Sequence, residues 1–381
     1  MANTTLTFYP VGNGDCNLLE IADGPKMMWD CKFINAAEND DDSKFNVIED
    51  LLDNKLTVKK AGLPFLDAFI LTHADKDHCQ GFDSKFYLGD PNKISADDKS
   101  ERKILIGELW YSPRVILEHN DELSEPAKAF KKEALRRINL YKSNRAEANK
   151  DGNRIRIIGW AKEDKLEGLE ERITVPGTEL SEVNGKPYKN FRMFIHAPFK
   201  DSIEGEDRNE TSIVMQIRID CDGQIDAGKV VLGGDAEWRV WDRIISLSED
   251  KTLKWDIFEA PHHCSWTFFS DDREEGKPNQ ASLDFLDKKE NGAMIVSSSK
   301  FISHMDSNPP CKKAKNRYVE KVGEGNFLCT GGNKNGDAPA PVVFELSRNG
   351  FRLKDTKKDV RESNGIVGGK TQPHVYGEIF G

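Results

Sequence analysis

The sequence predicts a layered α/β protein. Short apolar runs of strand length alternate with segments whose apolar residues recur at helical spacing. Several strand-like runs end in histidine or aspartate, so that rigid polar groups are delivered to a sheet edge. With 381 residues the chain can bury a sizeable core, as one large domain or two ordinary ones.

Residues 5–9 alternate as a strand, Val11-Gly12-Asn13-Gly14-Asp15 is a turn, and 17–21 returns as a second strand. Met27-Met28-Trp29-Asp30 is a third. Residues 35–44 are acidic and read as a loop; Phe45, Ile48, Leu51 and Leu52 then mark one face of a helix over 45–54. Residues 66–71 form a strand and 105–117 are strand-like. Ser124, followed by Pro126, starts a helix running to about 149, with Phe130, Ala134, Ile138 and Tyr141 on one face. Between 125 and 150 there are eight Lys or Arg against three Asp or Glu, a surplus of five positive charges that is either a phosphate-facing patch or a solvated helix face. Residues 119–190 as a whole read as a helical insertion or cap. Strands follow at 191–199, 211–219 and 229–232, a helix at 238–247, and strands at 253–260 and 293–298. A helix at 312–322 comes after Pro309-Pro310, and 342–346 with 351–354 make a hairpin around Asn349-Gly350. One domain is expected over 1–355, with a charged, glycine-rich tail at 356–381.

Composition narrows the function. No apolar run approaches the roughly 18 residues of a membrane span, and the N-terminal residues carry no signal-peptide pattern. The expectation is a cytoplasmic protein without a membrane partner. Its seven cysteines include no Cys-x-x-Cys pair, which argues against a disulfide framework or a zinc knuckle. A net charge of −10 argues against a general nucleic-acid coat but leaves a nuclease open, because metal ions and local patches set the field at a site.

The chemistry is concentrated at strand ends. After Phe69-Ile70-Leu71 come Thr72-His73-Ala74-Asp75-Lys76-Asp77-His78, which place His73, Asp75, Asp77 and His78 within six positions. Imidazole beside carboxylate suits hydrolytic metals. Val230-Val231-Leu232 leads into Gly233-Gly234-Asp235, and Ile257–Ala260 leads into Pro261-His262-His263-Cys264. A carboxylate such as Asp235 can bridge two cations and lower their mutual repulsion.

In this order the segments resemble the metallo-β-lactamase superfamily. Asp75, where that superfamily usually has histidine, resembles the soluble metallohydrolase domain of ComEC, the DNA-uptake protein of competent bacteria. Tyr9–Asp15, Trp29-Asp30, Asn209–Ser212 and Gly234–Glu237 extend the resemblance over about residues 4–330, outside 119–190. It implies an αβ/βα four-layer sandwich and a site for two divalent ions, Zn²⁺ or Mn²⁺, with a bridging hydroxide. Asp77, His78 and His263 would hold one ion, His73 and Asp75 the other, and Asp235 would lie between them. Asp77, Asp235 and His263 are the expected catalytic residues. Only one of His262 and His263 need bind metal, and His263 has the better matching position. Asp30 and Cys264 are expected to support the ligands, and Asn209, Ser212 and Lys300 to contact substrate.

The chain departs from the pattern in three places. Cys264 replaces a glycine, Cys31-Lys32 follow Asp30 where a glycine is usual, and the middle histidine has no clear counterpart. By type His196 could supply the last of these; by position Arg208 or Asn209 lies nearer. His119, His304 and His374 have no assigned role. The resemblance and the basic helix together predict a phosphodiesterase or nuclease acting on nucleic acid or another phosphodiester. The alternatives are a small-molecule hydrolase (nucleotide, phosphocholine-type ester, lactone or lactam) and an inactive binding module.

Overall fold

The computed structural model describes residues 3–33, 45–59, 61–160, 166–205, 207–303, 307–332 and 339–354. The acidic stretch 35–44, the tail from 355, His304 and His374 lie outside them. Two large mixed sheets stack face to face. The first runs in the order Gly350–Leu353, Val342–Ser347, Thr5–Phe8, Asn17–Glu20, Lys26–Trp29, Pro64–Leu71, Leu105–Tyr111, Arg154–Ile158, Ile173–Thr174. The second runs Glu179–Leu180, Phe191–Ala197, Val214–Cys221, Gln224–Leu232, Trp255–Glu259, Lys289–Lys300, Phe327–Gly331.

Alternation along the strands explains the layers. In Pro64–Leu71, Ala68 and Ile70 face the second sheet, where they meet Met215, Ile217, Val230 and Ile257. Phe69 and Leu71 face the other way, onto Phe130, Ala134, Ile138 and Tyr141 of helix Glu125–Ser143. In the second sheet Val231 and Phe258 point outward onto Trp241 and Ile244 of helix Trp238–Leu247. The result is helix, sheet, sheet, helix: the αβ/βα four-layer sandwich expected. Helix 125–143 belongs to an outer layer and strands Arg154–Ile158 and Ile173–Thr174 extend the first sheet, so much of 119–190 is built into the sandwich.

Most elements match the sequence expectation. The run at 105–117 does not: its strand ends at Tyr111, and Pro113 starts a short helix, Arg114–Leu117. Ser124 occupies the helix N-cap without a side-chain cap bond. Among the described residues no helix is long and apolar enough to cross a membrane.

Both sheets change character at one place. Strands before Lys26–Trp29 pair antiparallel, whereas Lys26–Trp29 onward pair parallel, apart from the short Thr57–Val58 strand added antiparallel to Pro64–Leu71; the second sheet makes the same change at Gln224–Leu232. Crevices open at the carboxyl ends of strands at such switch points. The histidine- and aspartate-rich strand ends come from these strands.

Candidate metal centre

In the first sheet, the parallel register that sets Trp29 beside Ile70 brings Asp30 level with the end of the neighbouring strand. Asp30 is fully buried and left-handed (φ 53°). It accepts from the Thr72 amide (2.8 Å), the Thr72 hydroxyl (2.6 Å) and His78 Nδ1 (2.8 Å). Asp77 and His78 lie on the single helical turn Lys76–Cys79. From the second sheet, Gly233-Gly234 turns the chain so that Asp235 enters the crevice. Gly234 has φ +49°, and a Cβ there would lie 2.8 Å from Thr72 Oγ1, so glycine is what lets the two sheets approach. His262, His263 and Cys264 all have positive φ (50°, 53° and 66°). Three successive left-handed non-glycine residues store backbone strain and send adjacent imidazoles to different places.

All four imidazoles turn Nε2 toward the buried Asp235 carboxylate. His78 and His263 lie 3.1 and 3.6 Å from Oδ1, and His73 and His262 lie 3.7 and 3.6 Å from Oδ2. Asp77 Oδ2 is 3.4 Å from His263 Nε2, and Asp75 Oδ2 is 3.7 Å from His73 Nε2. The cluster therefore divides into an Asp77–His78–His263 half and a His73–Asp75–His262 half, with one Asp235 oxygen serving each.

The Nδ1 atoms are engaged behind. His78 Nδ1 faces Asp30, His263 Nδ1 lies 3.3 Å from Asp15 Oδ1, His73 Nδ1 is 3.1 Å from Thr72 Oγ1, and His262 Nδ1 is 3.1 Å from Thr267 Oγ1. The Gly14 amide also points at His263 Nδ1 (3.1 Å). Asp30, accepting from His78 Nδ1, selects the His78 tautomer with a free Nε2 lone pair; at His263 the Gly14 amide donates to Nδ1, with the Asp15 carboxylate alongside.

The residues fit divalent cations. His73 Nε2, His78 Nε2, His263 Nε2 and Asp235 Oδ1 are buried without a hydrogen-bond partner, a costly arrangement for an empty polar cluster. Metal bonds of about 2.1 Å at tetrahedral or octahedral angles set neighbouring donors about 3.0–3.5 Å apart. The separations here run from 3.1 to 3.7 Å. Asp15, His78, Asp235 and His263 also offer atoms that all lie within 4.8 Å of one another.

The charges agree with this. Burial opposes ionisation of Asp235, but the surrounding imidazoles, His78 first, hold its carboxyl well below the usual range. Burial likewise opposes a charge on His263, yet Asp235 and Asp15 push it up to about 10. Asp75 is brought down to about 2 against burial by His73 and Arg208. In the metal-free protein, protons on His78 and His263 compensate the carboxylates; a cation takes their place by releasing them.

His73, Asp75, Asp77, His78, Asp235, His262 and His263 thus come together, with Asp30 behind His78. Other expected residues are placed differently. The Cys264 thiol turns away from the ligands toward the Cys311 carbonyl (3.8 Å) and packs in the outer apolar layer. Ser212 is fully buried, accepts from the Asp235 amide (3.2 Å) and sits 3.5 Å from His73 Nδ1, so it braces the loop. Asn209 donates to Glu237 (3.3 Å). Lys300 is exposed beside the 12–14 turn, its amide bonded to Asn13 Oδ1 (3.0 Å). His196 is no ligand: its Nδ1 meets Ser248 Oγ and its Nε2 the Thr252 carbonyl, both at 2.9 Å.

The basic helix keeps most of its surplus, because Glu125, Glu133 and Glu147 are the acids already counted within 125–150 and only Glu171 comes from outside. Arg137 is buried, paired with Glu133 and bonded to the carbonyls of Ile106, Gly107 and Arg154. Arg136, Lys128, Arg145 and Lys150 pair with Glu133, Glu125, Glu171 and Glu147. Two site residues were not singled out from the sequence. Asp15 was visible only as the end of the Val11–Asp15 turn. Arg208 was weighed only as the position of a missing histidine; it pairs with Asp75 (2.9 Å) and with Glu118.

No family model and no curated protein matches the chain in sequence. Among solved structures it is similar to the isothiocyanate hydrolase from Delia radicum gut bacteria, at 12% identity and a TM-score of 0.38, covering 89% of this chain and 99% of that one. It is also similar to unliganded yeast PDE1, at 13% identity and a TM-score of 0.39, covering 86% of this chain and 97% of that one. Likeness at this level carries no functional weight; the fold and the centre described above rest on the chain's own geometry.

Proposed function

We propose that this protein is a metal-dependent phosphodiesterase that works with two divalent ions. The observation that carries the proposal is the convergence of four imidazole Nε2 atoms, split between the two oxygens of one buried carboxylate. Divalent ions held there supply Lewis acidity and lower the pKa of bound water to near 7. The chain's own residues supply the rest. Asp30 holds the tautomer of His78, the Gly14 amide and Asp15 flank His263 Nδ1, Thr72 holds His73, and Ser212 fixes the Asp235 loop. Asp235 has an oxygen for each half, and Asp77 and Asp75 complete them.

A phosphodiester fits two cations that share the charge of an in-line displacement. The Asp75 variant, with its ComEC-like pattern, supports the same substrate class. Lys300 stands exposed beside the 12–14 turn, whose Gly14 approaches Asp77, and is the candidate to meet an anionic group of the substrate. Within helix 125–143 Arg137 is buried and Lys128 and Arg136 have acid partners, so the helix offers a polymeric substrate less free charge than the sequence count suggests.

The test is a cleavage panel after metal removal and reloading with Zn²⁺ or Mn²⁺. It comprises bis-p-nitrophenyl phosphate, cyclic and linear dinucleotides, single-stranded and plasmid DNA, and a lactone and a lactam. Phosphodiester turnover that disappears in Asp235→Ala supports the proposal. Turnover of only the lactone or lactam, or none with either ion, sinks it.

A further inference from the structure

The two halves of the centre are not equivalent. In the Asp77–His78–His263 half, each histidine has a carboxylate behind it: Asp30 at 2.8 Å from His78 Nδ1 and Asp15 at 3.3 Å from His263 Nδ1. Both carboxylates are buried. In the other half, both histidines rest on neutral hydroxyls, Thr72 and Thr267. Glu237 Oε1 lies 3.9 Å from His262 Nδ1, too far to take its proton. Carboxylate backing raises the basicity of a ligating imidazole and orients its ring; loss of such a partner typically costs 10–100-fold in affinity, as an order of magnitude.

Arg208 adds a second asymmetry. Its guanidinium donates to Asp75 Oδ1 at 2.9 Å, and it is fixed there by Glu118 and by the Glu122 carbonyl (2.6 Å). Asp75 therefore carries a permanent cation on one oxygen while its other oxygen faces His73. In the Asp77 half, Asp77 Oδ2 meets His263; Lys32 lies nearby but its ammonium donates to the Asn13 carbonyl, and among the described residues no arginine or lysine is ion-paired with Asp77. A fixed positive charge on a ligand weakens its attraction for a dication.

From these contacts we infer that the centre holds its two cations with unequal strength: the Asp77–His78–His263 half tightly, the His73–Asp75–His262 half weakly, with Arg208 as the positioning residue that sets the difference. Resting on the assignment of a two-cation centre, this makes the weak half the one that fills or empties with the metal supply.

The test is calorimetric titration of the chelator-stripped full chain with Zn²⁺ and separately with Mn²⁺. Two steps separated by about 100-fold or more are expected. Arg208→Gln should tighten the weak step about tenfold or more and leave the tight step unchanged, whereas Arg208→Lys, which keeps the charge, should stay close to wild type. Asp15→Asn should loosen the tight step alone; it does not disturb Glu118, so it decides the matter if Arg208→Gln fails to fold. Two equal steps, or a weak step that loosens further in Arg208→Gln, overturn the inference while leaving the two-cation centre standing. No binding of either ion overturns both.

Discussion

Replacing Asp30 by Asn isolates what one buried carboxylate does for the centre. Asp30 Oδ1 accepts from the Thr72 amide, and Oδ2 accepts from the Thr72 hydroxyl and His78 Nδ1. Asparagine keeps a single acceptor oxygen. If that oxygen stays on the Thr72 amide, an NH₂ group faces His78 Nδ1, and the ring must then accept at Nδ1. The proton moves to Nε2, which is the atom turned toward Asp235 at 3.1 Å, and the lone pair needed for a cation is lost. The expected cost is about 10–100-fold in affinity, or about 1.4–2.7 kcal/mol. The measurement is a competition titration of stripped protein against a chromophoric chelator, with circular dichroism and a urea midpoint to show that the variant is folded. A folded Asp30→Asn protein that binds Zn²⁺ within twofold of wild type would refute the assigned tautomer.

Other consequences can be measured independently. Burial brings His196 down to about 4 from an unfolded value near 6.5. Between these values the unfolded chain binds a proton that the folded chain refuses. The stability from the neutral ring is therefore complete above pH 6.5 and is lost as pH falls toward 4, up to about 3 kcal/mol. Urea titrations should show this loss in wild type but not in His196→Gln, and parallel pH profiles would count against it. Phe130 is fully buried, with ring centroids 4.9 Å from Phe82 and 5.7 Å from Tyr111. Phe130→Ala should cost about 3–5 kcal/mol in unfolding free energy, and a loss below about 1 kcal/mol would mean the helix is not packed as described. At Gly234 the positive φ alone should cost alanine about 1–2 kcal/mol. Because the added Cβ would press on Thr72, Gly234→Ala should also weaken cation binding, read by the same competition titration.

The strand ends were legible because their ligands sit within a few residues of an apolar run. His73, Asp75, Asp77 and His78 follow Leu71 directly, and Asp235 and His262-His263 follow Leu232 and Glu259 almost as closely. Local sequence carries that information. It does not carry which histidine serves which oxygen; only the left-handed turn at 262–264 sends the two rings to opposite sides of Asp235. Asp15 and Arg208 act across the crevice on residues distant in the chain, so nothing near them in sequence marks their partners. The basic helix is a related case. Counting charges from 125 to 150 registers the surplus but not the inward turn of Arg137 or the partner Glu171 brought from outside the segment. Where Ser212 and Cys264 point was not legible, because the side a residue faces at a loop apex is decided by packing: one hydroxyl lies under the Asp235 amide, and one thiol in the outer layer.

The change from antiparallel to parallel pairing at the same place in both sheets has a mechanical consequence. Asp15, Asp30 and the 73–78 cluster hang from the first sheet, and Asp235, His262 and His263 hang from the second. Cations seated among them would rivet the two sheets of the sandwich together at this edge. By mass action, a ligand at a thousand times its Kd adds about 4 kcal/mol to the folded state. Heat resistance and metal supply would then be coupled, and the seam between the sheets would be the first part of the protein to open when metal is scarce.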